Sequence, residues 1–353
     1  MRHNTLNRLI LLVLFNTITG YSQFEIDENK YNIYAVNKPD ELNFSGEDVP
    51  IEHWDIYERF DKEILINTYW QSKTIMLIKR AKKFFPLIEK ILKENNIPDD
   101  FKFLALAESG LENVTSSSGA KGFWQFLKKT GIEYKLEINE EVDERLHLEK
   151  ATEAACKYLR KAYEKLGTWT LAAAAYNMGI TGIENQITKQ YSSNYYDLML
   201  NNETYRYIFR ILALKEIVNN HKKYGFIINV TDYYANPSFY QLNIDSSITN
   251  ISKFAINIGV NYKIIKQFNP WILNNKLNNK NNKTYSLKVP FKQYIQFNEV
   301  DTIYHTARRN ESLYDIAFTY NTTYDNLLLW NKMIASRKIK KNQKIIILKR
   351  NGN

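Results

Sequence analysis

One carboxylate in this 353-residue chain stands where an apolar residue belongs. In the stretch FKFLALAESG, residues 101–110, Phe101, Leu104 and Ala105 share one helical face, and the next member at i+7 is Glu108. A carboxyl group on the core side of a helix is desolvated, which raises its pKa and suits it to general-acid work near neutral pH. Helix position alone favours a blander reading, a buried Glu satisfied by an Arg or by backbone amides. The context shifts the balance. SSSGAKGFWQF, residues 116–126, supplies glycines for a tight loop and then Trp124 and Gln125. An indole face beside an amide is a common way to hold a sugar ring and its N-acetyl group, although a Trp taken alone is more often core. Sugar hydrolysis in its usual forms asks for two carboxylates. Glu112 is the nearby candidate, but Gly110 reads as a helix stop and leaves Glu112 as a solvated loop residue.

Helices must position these groups. From residue 51 to about 95 the pattern is helical, with Pro86 expected to break it and NNIPDD to end it. Asp99 or Asp100 then offers an N-cap to the Glu108 helix. In ATEAACKYLRKAYEKLG, residues 151–167, Ala151, Ala154, Ala155, Tyr158, Leu159, Ala162 and Leu166 make one stripe closed by Gly167. Thr168 or Thr170 can cap the next helix, LAAAAYNMG, which ends at Gly179, and helices continue to about residue 220. So many alanines imply close helix packing. Residues 23–50, polar and weakly patterned, read as an extended lead.

After Tyr224 the composition turns to Asn, Tyr and β-branched residues. ISKFAINIGVNYKIIKQFN (251–269) and LYDIAFTYNTTYDNLLLWN (313–331) match at an offset of 62, placing Ala255, Tyr262 and Asn269 on Ala317, Tyr324 and Asn331. Each reads as two short helices, and DTIYHTA and QKIIILK around the later copy make it β-α-α-β. A tandem pair of small modules follows.

The first residues, MRHNTLNRLILLVLFNTITGYSQ, have two arginines, an apolar run over 9–15 and small residues before a cut at Gln23. That is the layout of a secretory signal peptide, with no Cys nearby to carry a lipid. The apolar run is too short to span a bilayer. Of the formal +10, a net +7 falls in residues 302–353, so the charge belongs to one end and implies an anionic partner or a solvated face there. Export speaks against nucleic acid. The single Cys156 rules out an internal disulfide and reads as an inert buried side chain. The five His residues (3, 53, 147, 221 and 305) have no metal-ligand spacing, and no phosphate-binding or dinucleotide motif occurs, so no metal or cofactor is expected.

Three motifs in order carry a resemblance: Glu108-Ser109, then Gly119-Ala120-Lys121-Gly122-Phe123-Trp124-Gln125, then Ala175-Tyr176-Asn177-Met178-Gly179. With the helical stretch before them they resemble the goose-lysozyme-like SLT domain of lytic murein transglycosylases, of the membrane-bound D type. HTARRNESLYDIAFTYNTTYDNLLLWN followed by IKKNQKIIIL resembles a LysM domain, and the earlier copy a decayed one. The resemblance implies a mainly α fold: a lysozyme-like helical domain followed by small βααβ modules. It divides the chain into a signal peptide (1–22), a lead and helical segment (23–85), a catalytic domain (86–222), a linker (223–243), a degenerate LysM-like module (244–295) and a LysM module (302–349).

The implied activity is cleavage of the β-1,4 bond between N-acetylmuramic acid and N-acetylglucosamine without water. Glu108 would protonate the leaving oxygen and then take the proton of the muramic acid C6 hydroxyl as that oxygen closes onto C1. The substrate's own hydroxyl replaces the second carboxylate. By the same resemblance Tyr176 would hydrogen-bond Glu108, Gln125 would hold the sugar beside the Trp124 indole already singled out, Asn177 would brace the loop and Ser109 would cap the helix. A serine of the run Ser116-Ser117-Ser118, by position Ser116, would face the substrate, and Asp143 with Arg145 would form a structural ion pair. The implied partner is the peptidoglycan glycan strand, and the implied place the periplasm or cell envelope. A water-using muramidase and a silent wall-binding protein are the alternatives.

Overall fold

Pro86 lies in the middle of a helix rather than at its end. In the computed structural model, which describes residues 33–279, 283–291, 300–320, 322–333 and 339–350, α1 (Trp54–Tyr69) and α2 (Gln71–Glu94) flank Trp70, and α2 runs through Pro86. The proline forfeits the bond its own nitrogen would make to the preceding turn, and its ring crowds the Lys82 carbonyl. Burial of Phe85, Ile88, Ile91 and Leu92 holds the neighbouring turns in line. The boundary expected at 85/86 therefore falls inside one helix, and α1 and α2 share their core with the helices that follow. The signal peptide expected over 1–22 lies outside the described residues.

The expected extended lead also carries structure. β1 (Asn43–Phe44) pairs antiparallel with β2 (Glu47–Asp48), and Phe44 packs edge-on against Phe101 with ring centroids 5.3 Å apart. The Glu47 carboxylate accepts the N–H groups of Trp169 (2.6 Å) and Thr170 (2.9 Å). These open α6 (Trp169–Met178), where unpaired amides and the helix dipole favour an anion.

Besides α1 and α2, the core helices are α3 (Phe101–Ser109), α5 (Leu148–Leu166), α6 and α8 (Asn202–Asn219), while α4 (Lys128–Glu133) and α7 (Ile180–Gln190) bury little. The small side chains of Ala151, Ala154, Ala155 and Ala162 on α5 and of Ala172–Ala175 on α6 are all buried, so these helices can approach closely. Thr168 caps α6 by accepting from Leu171 N, as one of the two expected candidates. Asp100 precedes α3 without capping it: its carboxylate accepts instead from Ser45 N and Lys215 Nζ, both at 2.7 Å. A short side chain can satisfy its own helix end or a distant partner, and here tertiary contact takes it.

Two βααβ modules follow. The first is β3 (Phe239–Ile244), α9 (Ile251–Asn257), α10 (Tyr262–Phe268) and β4 (Tyr285–Pro290); the second is β5 (Val300–Thr306), α11 (Leu313–Thr319), α12 (Tyr324–Asn331) and β6 (Lys344–Arg350). Each strand pair is antiparallel, from Phe239↔Pro290 to Ile244↔Tyr285 and from Val300↔Arg350 to Thr306↔Lys344. β3 lies mostly in the expected linker, because its residues stay largely exposed and show no clear apolar alternation.

The repeated asparagine has one job in both copies. Asn269 Nδ2 donates to Ile265 O (2.9 Å) and Lys288 O (2.8 Å), and its Oδ1 accepts from Lys288 N (2.8 Å). Asn331 makes the matching bonds to Leu327 O and Ile346 O (both 2.9 Å) and from Ile346 N (2.6 Å). One amide thus ties the last helix of each module to its last strand. Among the described residues no helix is long and apolar enough to cross a membrane.

Candidate active site

α3 ends two residues after Ala107 because Gly110 turns left-handed (φ +61°) and its N–H closes on Leu106 O at 2.9 Å. Glu108 therefore sits on the last turn of a helix whose Phe101 and residues 103–106 are buried, and is itself mostly covered by its neighbours. The Tyr207 hydroxyl, from α8, donates to Glu108 Oε1. Burial pushes the Glu108 pKa up to about 7, against the Tyr207 bond and the Arg210 charge, which lower it, and with the help of the Glu203 charge. A carboxyl group in that range holds a proton at neutral pH and can also give it up.

Beside it lies the loop 119–126, whose carbonyls are held from three directions. Ser109 Oγ donates to Phe123 O (2.8 Å) and accepts from Leu111 N (3.1 Å), so it both closes the helix end and ties it to the loop. The Tyr176 hydroxyl, from α6, donates to Trp124 O (2.8 Å). Arg145 Nη1 donates to Gly119 O (3.0 Å) and Phe126 O (3.1 Å). Within the loop, Gln125 takes a left-handed φ of +47° and its side-chain Nε2 donates to Gly122 O (2.8 Å) and Val114 O (3.1 Å). A non-glycine residue in that conformation is costly and persists only where its surroundings enforce it. Gly122, with φ +80°, has no room for a side chain unless its neighbours shift: a Cβ there would lie 1.9 Å from Arg145 O.

Arg145 itself is pinned. Its Nε and Nη2 make a two-pronged bond to Asp143 (2.8 and 2.7 Å) at the short 3-10 turn Glu144–Leu146, both side chains buried. Burial alone would raise the Asp143 pKa, but the bonds and charges of Arg145 and Lys121 win and hold it below the usual value.

Several expected roles move. Tyr176 does not hydrogen-bond Glu108; its hydroxyl goes to the loop carbonyl, and Tyr207 takes the place at the carboxylate. Burial, then the nearby Glu108 charge, raises the pKa of each phenol well above the ordinary value, so both stay protonated donors. Trp124 is fully buried and donates Nε1–H to Thr152 Oγ1 (2.8 Å); its indole packs the core and offers no face to a sugar. Asn177 braces the start of α8 rather than the loop, donating to Glu203 (3.0 Å) and accepting from Thr204 Oγ1 (2.7 Å). Ser116 Oγ accepts from Ala120 N (3.0 Å) and closes a turn, whereas Ser117 is exposed. Glu112 pairs with Arg80 (2.6 Å), which also reaches Gly110 O.

Tyr207, Arg210 and Glu203 were not anticipated around the carboxyl group. A signal for the first existed: Thr204, Tyr207, Ile208 and Ile211 form one buried face of α8, and a phenol there needs a buried partner. Glu203 is also a second carboxylate whose charge acts on Glu108, a position the sequence pattern does not single out.

Fold and site together define a lysozyme-like catalytic domain carrying small LysM-type modules. Residues 85–199 match the Transglycosylase SLT domain, 240–293 the Soluble lytic transglycosylase C-terminal LysM-like domain, and 305–348 the LysM domain. The chain is also similar to the membrane-bound lytic murein transglycosylase D of Escherichia coli strain K12, with 26% identity over 318 residues, 83% of this chain and 68% of that protein. The protein of that name from Escherichia coli O6:H1 matches over the same shares.

Proposed function

We propose that this peptidoglycan lytic transglycosylase uses Glu108 as its only acid–base group. The activity class follows from the SLT domain, the LysM-type domains and the likeness to murein transglycosylase D. Glu108, protonated near neutrality, donates to the glycosidic oxygen between N-acetylmuramic acid and N-acetylglucosamine. The carboxylate left behind takes the C6 hydroxyl proton as O6 closes onto C1, giving a 1,6-anhydro end. The carrying observation is Glu108 at the end of the buried helix α3, held by the Tyr207 hydroxyl; burial there pushes its pKa up to about 7, so that one group can serve in both directions. Tyr207 aims it, and the loop 119–126, with Gln125, lines the sugar. Asn177 and Ser109 act by holding the elements around it, and the modules bring the enzyme to the wall.

Glu203 favours a second reading, a muramidase in which that carboxylate activates water. Digestion of purified peptidoglycan followed by mass spectrometry separates them. Anhydromuramic ends are expected; reducing muramic ends, lost on Glu203→Gln, would establish the hydrolase instead. Action on murein belongs to the cell envelope, and export by residues 1–22 predicts a mature chain beginning at Gln23, readable by N-terminal sequencing of envelope-derived protein.

A further inference from the structure

One segment of the catalytic domain, residues 137–149, is built into the first module. Val142 bridges Ile272 and is buried in the module's core with Trp271 and Leu277, apart from the core of its own domain. Asp143 N donates to Trp271 O (2.9 Å) and Leu273 N to Glu141 O (2.8 Å). Side chains close the seam. The Glu141 carboxylate accepts from Asn278 N (2.8 Å) and Nδ2 (2.6 Å), Glu137 pairs with Lys283 at 3.1 Å, and Glu149 pairs with Lys288. A module that only tethers an enzyme to a polymer needs a linker, not backbone pairing and a shared core.

The seam leads directly to the loop beside Glu108. Asp143 bonds the module through its N–H, and through its carboxylate it clamps Arg145. Arg145 in turn holds Gly119 O and Phe126 O, the two ends of the loop, and its own carbonyl packs against Gly122.

We propose that the module over residues 239–290 is a positioning element of the reaction: docked on residues 137–149, it fixes Asp143 and Arg145 and thereby sets the loop 119–126 at the reacting bond. Arg145 is then a positioning residue, and anchoring to the wall falls to the second module. This rests on the transglycosylase reading above. A loop displaced by even 1 Å costs about 100-fold in rate when it orients the reacting bond.

The test uses the full chain and a soluble, uncrosslinked glycan fragment of a few disaccharides. Lys283→Glu with Lys288→Glu sets like charges against Glu137 and Glu149; adding Glu137→Lys and Glu149→Lys restores both pairs. Glu141→Ala is a milder opening of the same seam. The opened variants are expected to lose about tenfold or more in kcat with KM little changed, and the amides of Lys121, Gly122 and Gln125 exchange faster with deuterium. The restored variant regains both. Unchanged kcat and unchanged exchange in the opened variants, with binding to intact sacculi reduced, would make the module a wall anchor and overturn the proposal. If the parent protein gives no anhydro product, the transglycosylase reading fails, and amide exchange alone still decides whether the module holds the loop.

Discussion

The Tyr207 hydroxyl donates to Oε1 of Glu108 across 99 residues of sequence, joining α8 to the last turn of α3. Two effects meet on that oxygen. The hydrogen bond stabilises the carboxylate, whereas burial stabilises the acid, and burial wins. The bond therefore fixes direction without stripping the proton. A flexible carboxyl group at a helix end becomes an aimed acid whose pKa stays near working pH.

Cleavage should decline as pH rises through about 7, because the proton donor is depleted there. Tyr207→Phe removes a bond that favours the carboxylate, so the alkaline limb should move to higher pH while kcat falls about tenfold. Tyr176→Phe breaks the bond to Trp124 O instead and should lower kcat without moving that limb. A pH–rate profile of the three proteins on one soluble fragment reads both effects.

Glu108→Gln should cost about 10²–10⁴-fold in rate, measured as anhydro product released. The same change should stabilise the fold at pH 8. The native pKa lies above the ordinary 4.5, so the folded chain binds the extra proton between about 4.5 and 7. Stability from this group is full below 4.5 and is lost as pH rises through 7. A neutral amide escapes that loss, a gain of up to about 3 kcal/mol above pH 7. Urea titrations of both proteins at pH 5 and pH 8 test it, with a gain expected only at the higher pH.

Gly122→Ala should destabilise the catalytic domain by about 3 kcal/mol, combining left-handed strain with a methyl group driven into Arg145 O. Gly119→Ala meets no neighbour within 4 Å and should cost only the strain, about 1 kcal/mol. Chemical denaturation of the full chain gives the comparison.

Asn269→Ala and Asn331→Ala remove the same helix-to-strand tie from different modules. Each should cost about 2 kcal/mol within its own module, because the backbone groups of Lys288 or of Ile346 lose their partner. Amide exchange resolved by segment should show the loosening confined to residues 239–290 or 300–350. If the first module holds the catalytic loop, only Asn269→Ala also loosens residues 119–126.

Local pattern carried much of this protein. The misfit of Glu108 on an apolar face, the glycine stops at 110, 167 and 179, the alanine stripe of α5 and the paired asparagines at an offset of 62 all follow from neighbours a few residues apart. Helical periodicity is a local property, so sequence alone could reach a helical domain, the carboxyl group and the two modules, while the lysozyme-like class came from the resemblance of its three motifs. Partner choice is not local. A buried hydroxyl, indole N–H or amide must find a hydrogen bond, but its sequence position does not say with whom. Only packing decided that Tyr207 rather than Tyr176 meets Glu108, that Trp124 turns inward to Thr152, and that Asn177 serves α8. Packing also carried α2 through Pro86 and set Val142 in the core of a module more than a hundred residues away. Those outcomes depend on which surfaces are buried together, a quantity that exists only once the chain has folded.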